Sequence, residues 1–154
     1  MKKALLIAAM LGISATYVQP AFADAEDSIT ARRSYYQVVK FYAGSLFGMA
    51  QGKVDYNKDK AQAAANNLKA LSTMNNVSMW PAGSDNEAMK GKTRALKAIW
   101  AKDSKIIDEI KTFKGAIDNL TKVAGNGLNE LRPAVAKLGA SCSSCHKGYR
   151  ADKF

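Results

Sequence analysis

Residues 131–150 read LRPAVAKLGASCSSCHKGYR, and this stretch decides the fold. Leu131, Val135, Leu138, Cys142, Cys145 and Tyr149 recur at steps of three and four, the spacing of one face of an α-helix. Pro133 is expected in the first turn, where a missing N–H costs nothing, so the helix is predicted to begin near Asn129. The same stretch holds both cysteines and the only histidine of the chain. Cys-x-x-Cys-His is the attachment pattern of c-type haem. On a helix, Cys142 and Cys145 lie three apart on one face, where their sulfurs can form thioethers with the two haem vinyl groups. His146, four residues from Cys142, faces the same porphyrin and can offer its imidazole to the iron. Haem c held through Cys142 and Cys145, with His146 as metal ligand, is therefore expected.

Rival uses of these residues are weaker. Zinc wants four ligands and the stretch offers three. A thioredoxin-like thiol pair needs a βαβ setting that the sequence lacks. A disulfide between Cys142 and Cys145 would close a tiny loop and stabilise little through chain entropy. The start of the chain bears on this last point. Lys2 and Lys3 precede the apolar run ALLIAAMLGI at residues 4–13, which is too short to span a bilayer, and Ala21-Phe22-Ala23 fits a cleavage site. Residues 1–23 thus read as a cleaved export signal, and residues 24–154 as one domain. An exported, periplasmic protein meets oxidising conditions, and covalent attachment both retains haem there and uses both thiols.

Three further segments carry helical spacing, and no strand alternation or internal repeat interrupts them. The first runs from about Asp27 to Ala50, with Ile29, Arg32, Tyr36, Val39, Ala43, Leu46 and Ala50 in step, and Gly52 and Asp55 as stop signals. The second runs from about Asn57, a candidate N-cap, to Asn76, with Ala61, Ala64, Leu68 and Leu71 on one face. The third takes in Leu96, Ile99, Ile106, Ile110, Phe113, Ile117, Leu120 and Ala124. Gly125-Asn126-Gly127 makes a tight corner before the fourth. Four amphipathic helices predict an all-α, antiparallel four-helix bundle with its haem near the C-terminus. The one long connection, residues 77–92, is of a length that is often functional.

The formal charge of +10 falls to +8 once Lys2 and Lys3 are removed. The positive residues are scattered, with no dense basic run interleaved with aromatics, so no nucleic-acid partner is expected. With the signal gone, no membrane segment is expected in the mature form. A second histidine is missing, so bis-histidine ligation within one chain is excluded. Met49, Met74, Met79 and Met89 occupy no obvious position facing the haem. Arg32 is odd, because a charge in a core register is costly unless paired. Haem propionates are the natural partner for its guanidinium.

These residues resemble the cytochrome c′ family, the class II c-type cytochromes, over nearly all of the chain after residue 23; cytochrome c′ is itself a standard example of the four-helix bundle. The resemblance is carried by Glu26-Asp27-x-Ile29-x-x-Arg32, by Pro81-Ala82-Gly83, and by Thr93-x-Ala95-x-x-x-Ile99-Trp100. It closes on Leu138-Gly139-Ala140-Ser141-Cys142-x-x-Cys145-His146-x-x-Tyr149-Arg150. It implies that His146 is the sole protein ligand of a five-coordinate, mostly high-spin iron. It places Arg32 near the propionates, Arg33 at the adjoining haem contact, and Arg150 beside the proximal histidine. Thr93 and Arg94 fall at the start of the third helix, touching the haem edge, although Arg94 departs from the acidic residue often seen there. Tyr36 matches the distal position, where low-spin relatives place a ligating methionine in the same region. A neutral phenol ligates iron poorly, so the distal side is expected to be blocked rather than ligated.

The implied function is a periplasmic haem protein that binds nitric oxide and carbon monoxide and serves in nitric oxide buffering or in electron transfer with a redox partner protein. The rival is a low-spin, hexacoordinate electron-transfer cytochrome. An enzyme is not expected, since the single histidine is committed and no acid–base constellation accompanies it. The resemblance also implies a homodimer packed through the first two helices. Tyr35, Val38, Phe41, Tyr42 and Phe47 fit that expectation, because they encircle helix one more than one buried face needs.

Overall fold

The computed structural model describes residues 24–154; the export signal read at residues 1–23 lies outside the described residues. Four helices form: α1 (Ala25–Ala50), α2 (Lys58–Thr73), α3 (Ile106–Val123) and α4 (Leu128–Tyr149). Two short 3-10 turns, Val77–Met79 and Lys97–Trp100, punctuate the connection between α2 and α3. The ends follow local chemistry. Gly52 has φ 70°, a left-handed conformation that glycine adopts without strain. Its N–H donates to Met49 O at 3.1 Å, and Lys53 N–H donates to Gly48 O at 2.9 Å, the bond pair of a Schellman cap. The Asn57 side chain accepts from Lys60 N–H at 2.9 Å and caps α2 as expected.

The helices run antiparallel in sequence order around a ring, with α4 returning to α1. Lys69 pairs with Asp118 while Gln62, one end lower on α2, donates to Thr121 O. Phe47 lies against Gly139, and Ala50 O accepts from Arg132 Nε–H at 3.1 Å. Leu46, Leu68, Ile117, Leu120, Leu131 and Leu138 are buried at the centre, and Ala61, Ala64 and Ala65 let α2 approach closely. Each large aliphatic side chain buried here contributes about 1.5–3 kcal/mol over an exposed one. At the corner before α4, the Tyr56 hydroxyl donates to Ala124 O and accepts from Gly127 N–H, both at 2.9 Å.

Three expectations are corrected. The third helix starts at Ile106, well after Leu96. Leu96 N–H donates to Tyr149 O at 3.0 Å and Ala151 N–H to Arg94 O at 2.8 Å. These bonds hold residues 94–96 in extended form against the end of α4, which a helix there would forfeit. Thr93 and Arg94 therefore lie in the connection, not on a helix. Pro133 is the sixth residue of α4 rather than part of its first turn, since the helix begins at Leu128. Its missing N–H leaves the carbonyl of Asn129, an exposed residue, to water. Finally, the aromatics of α1 divide differently. Tyr35 is buried with its hydroxyl donating to Leu71 O at 3.1 Å, and Phe47 packs on the core; Tyr36 is 44% exposed.

Candidate functional site

The last two turns of α4 present Cys142 and Cys145 half-buried, both as free thiols, with His146 on the exposed surface. The bundle is not filled where they emerge. In the lower half of α3, Ile117 and Leu120 are fully buried, whereas Ile110, on the same helix nearer the cysteines, is 38% exposed. Glu109 accepts from Ser144 Oγ–H at 2.9 Å, which fixes that end of α3 beside the cysteine turn. Tyr36 on α1 is another large apolar group left uncovered, and the electrostatic influence of both cysteines on its phenol places it near them. Two unpaired cysteines, an exposed imidazole and an uncovered aromatic and aliphatic lining fit a flat, apolar macrocycle. A groove of about 520 Å³ between α3 and α4, lined by Gly115, Ala116, Ala140 and Ser141 among others, opens on the neighbouring stripe of α4 and lacks these features.

The electrostatics of the motif favour uncharged forms. Burial first, then Arg150 and Arg94, pulls the His146 imidazolium below its ordinary range, which favours the neutral ring a metal needs. Arg150 Nη1 stands 3.5 Å from His146 Nδ1. Burial raises the Cys142 thiol, and burial followed by Glu109 and Cys142 raises Cys145. Although 44% of Tyr36 is accessible, desolvation is the first cause that lifts its phenol to about 12. Tyr35, Cys145 and Cys142 act in the same direction and Arg32 opposes them. The phenol is therefore neutral under ordinary conditions.

Arg32 is 3% exposed and has no acidic partner among the described residues. Its Nη1 donates to Met79 O at 3.3 Å and Ser84 Oγ at 2.7 Å; its Nη2 donates to Ser84 O at 2.5 Å and Thr93 Oγ1 at 2.8 Å. The guanidinium carbon also sits 4.6 Å from the centre of the Trp80 ring. Burial lowers its pKa, and nearby Tyr36 works against that shift. Four of its five N–H groups thus go to the α2–α3 connection, and Nε–H alone is left for a propionate. Arg32→Met removes all four bonds and strands buried carbonyls. It should cost on the order of 3 kcal/mol, read as a lower urea midpoint at unchanged slope.

The remaining expected residues gather around the same end. Thr93, 4% exposed, also accepts from Ala95 N–H at 3.1 Å. Arg94 Nε–H donates to Ala151 O at 2.5 Å, so it is tied to the tail of α4. Arg33 is exposed, with Nη1 donating to Lys92 O at 3.4 Å and its guanidinium 5.4 Å from the Phe154 ring centre. Sequence reasoning missed Trp80 and Ser84 and gave Trp100 no role. Trp80 meets Tyr36 edge-on at 6.3 Å and lies tilted against Trp100 at 6.2 Å, and Trp100 Nε1–H donates to Trp80 O at 3.1 Å. The available signal was that both tryptophans of the chain lie between α2 and α3.

Comparison with known proteins places this geometry. A family model described as Cytochrome C′ matches residues 27–150. A cytochrome c′ of Cereibacter sphaeroides is 32% identical over 153 residues, covering 99% of this chain and 100% of the relative. The solved cytochrome c′ from Rhodobacter Spheriodes superposes with a TM-score of 0.82 at 34% identity, over 85% of this chain and 100% of that one. A carbon monoxide-bound variant of the cytochrome c′ from Alcaligenes xylosoxidans superposes at 0.73 and 26% identity, over 85% and 99%. No described helix is long and apolar enough to cross a membrane. With Cys142 and Cys145 placed as haem c attachment requires, the chain belongs to the cytochrome c′ family, periplasmic haem proteins that bind gases or carry electrons rather than catalyse.

Proposed function

We propose that this protein holds a five-coordinate, mostly high-spin haem and binds nitric oxide and carbon monoxide on its vacant side. The observation that carries the reading is Tyr36, which stands beside the cysteine turn where a low-spin cytochrome would supply a ligand. When bound, the haem supplies an iron with one coordination position open to a diatomic gas. Cys142 and Cys145 anchor it, and the neutral His146 imidazole is the one protein ligand. Arg33, Arg94 and Arg150 offer positive charge at the rim, Arg33 from α1 and Arg94 from the connection between α2 and α3, where it is tied to Ala151 beyond α4. Arg32 and Thr93 act on the haem edge mainly by fixing the connection between α2 and α3. With the haem in place, Tyr36 would cover the iron without ligating it, because its phenol is neutral.

The rival low-spin carrier needs a sixth ligand, and Met49 and Met79 are engaged elsewhere. Met49 is 3% exposed inside the bundle core, and Met79 packs against that core while its carbonyl receives Arg32. The solved relative with carbon monoxide bound supports gas binding here. Nitric oxide buffering and electron transfer are the two uses this site serves. The test is a titration of the reduced protein with carbon monoxide. A reversible spectral change with a saturating end point is expected; an unchanged spectrum at saturating gas would contradict the proposal.

Residues 1–23 are taken to be removed on export, which agrees with a periplasmic family. The dimer proposal rests on a smaller patch than the sequence suggested. Tyr35 and Phe47 are used within the chain, leaving Phe41 72% exposed and Val38 43% exposed on α1, with Phe41 edge-on to Tyr42. Val54 on the following turn is also exposed. An apolar group of this kind suits a second copy of the chain. Sedimentation equilibrium at micromolar concentration should give twice the chain mass, and Phe41→Glu should return it to one; a wild-type monomer would refute the dimer.

A further inference from the structure

Tyr36 is 44% exposed, yet its ring is held by two others. The Tyr35 ring meets it edge-on with centres 5.0 Å apart, and Trp80 does so at 6.3 Å. Both neighbours are themselves anchored. Tyr35 donates its hydroxyl proton to Leu71 O, so its ring is pinned to α2. Trp80 is fixed from three directions: Arg32 lies over its ring, its carbonyl accepts from Trp100 Nε1–H, and its N–H donates to Val77 O at 3.0 Å. Arg32 cannot drift away from Trp80, because its other contacts are the buried Ser84 and Thr93. Tyr36 itself makes no hydrogen bond among the described residues. What resists its displacement is therefore the packing of the two flanking rings.

We propose that Trp80, clamped by Arg32, is a positioning residue that sets the steric penalty on a gas ligand by holding Tyr36 over the iron, without touching the ligand. This rests on the reading of Tyr36 as the distal cover. A ligand that reaches the iron must push the Tyr36 ring aside, and the ring can move only by breaking its edge contact with Tyr35 or with Trp80. Tyr35 belongs to the same helix and to the core, so Trp80 is the leaf that decides how far Tyr36 can swing. Control of gas affinity is then distributed between α1 and the connection between α2 and α3. A change in that connection alters gas affinity even where no residue of the haem lining changes.

The experiment is a double-mutant cycle on the haem-loaded full chain, read as carbon monoxide affinity of the reduced protein. Trp80→Leu alone should raise affinity about fivefold, the loss of one edge-to-face aromatic pair. In the Tyr36→Ala background the same change should do almost nothing, because no ring is left to hold. Ser84→Ala touches neither ring, loosens Arg32, and should shift affinity in the same direction by about twofold, a weakened bond to a charged group. It keeps the test available should Trp80→Leu fold poorly. Ultraviolet resonance Raman supplies a readout beyond affinity: carbon monoxide binding should perturb a tryptophan band in the wild type and leave it unperturbed in Tyr36→Ala. Equal affinity gains from Trp80→Leu in both backgrounds would overturn the proposal, as would no gain from either Trp80→Leu or Ser84→Ala. A Tyr36→Ala protein with wild-type affinity would instead sink the distal-cover reading on which the proposal stands.

Discussion

Tyr36→Ala should raise the carbon monoxide affinity of the reduced protein by about tenfold or more, the equivalent of relieving about 1.4 kcal/mol of clash. Tyr36 stands one turn after Arg32 on α1, beside the cysteine turn of α4, and is packed between Tyr35 and Trp80. On the proposed reading its phenol, being neutral, does not ligate and instead blocks. A gas must displace the ring, and that cost is added to the intrinsic iron–ligand bond. Removing the ring removes the cost and leaves the reduced iron five-coordinate, since water binds ferrous haem weakly and Met49 stays in the core. Nitric oxide pays the same displacement cost, so its affinity should rise by a similar factor, and discrimination between the two gases should hold. Equilibrium titration with each gas, wild type against variant, measures both effects. An unchanged carbon monoxide affinity would show that Tyr36 is not the distal cover.

Replacing both thiols has an all-or-none consequence. In the wild type, acid–acetone extraction of the denatured protein should leave the haem on the chain. In Cys142→Ser with Cys145→Ser, all of it should pass into the organic phase. The two sulfurs lie three residues apart on one face of α4, unpaired with each other, and no other cysteine exists in the chain. Either single substitution should keep one thioether and hence retain the haem, with the spectrum of an unsaturated vinyl group reappearing. Haem extracted from the wild type would overturn covalent attachment. The double variant should also unfold more easily, because the apolar lining at Tyr36 and Ile110 stays in water whenever an untethered haem leaves.

The parts of the fold that local chemistry dictates were legible. The spacing of Leu131, Val135, Leu138, Cys142 and Cys145 predicted α4 and its haem-bearing face, and Asn57 and Gly52 marked two helix ends that the structure bears out. The start of α3 was not legible. Leu96 and Ile99 carry helical spacing, but the backbone there bonds to Tyr149 and Ala151 at the far end of the sequence, and a tertiary partner overrides a local period. Tyr35 and Tyr36 show a second limit. Adjacent residues lie 100° apart on a helix, and a stripe built of steps of three and four accepts either of them; only the neighbouring helices select Tyr35 for the core. Arg32 shows a third. Its core register marked a charge that needed partners, but Ser84 and Thr93, more than fifty positions away in the chain, carry no signature that would assign them.

The central claim, an iron with one protein ligand and a covered but vacant opposite side, is tested most directly by the absorption spectrum of the purified protein without added gas, recorded in both oxidation states. The predicted result is a high-spin ferrous spectrum with a broad, unsplit visible band, and a predominantly high-spin ferric spectrum. Sharp, split visible bands in the ferrous form together with a low-spin ferric form would contradict it. That outcome would require a sixth ligand, with Met79 or Met89 the candidates left once Met49 is placed in the core, and would make the protein an electron carrier instead.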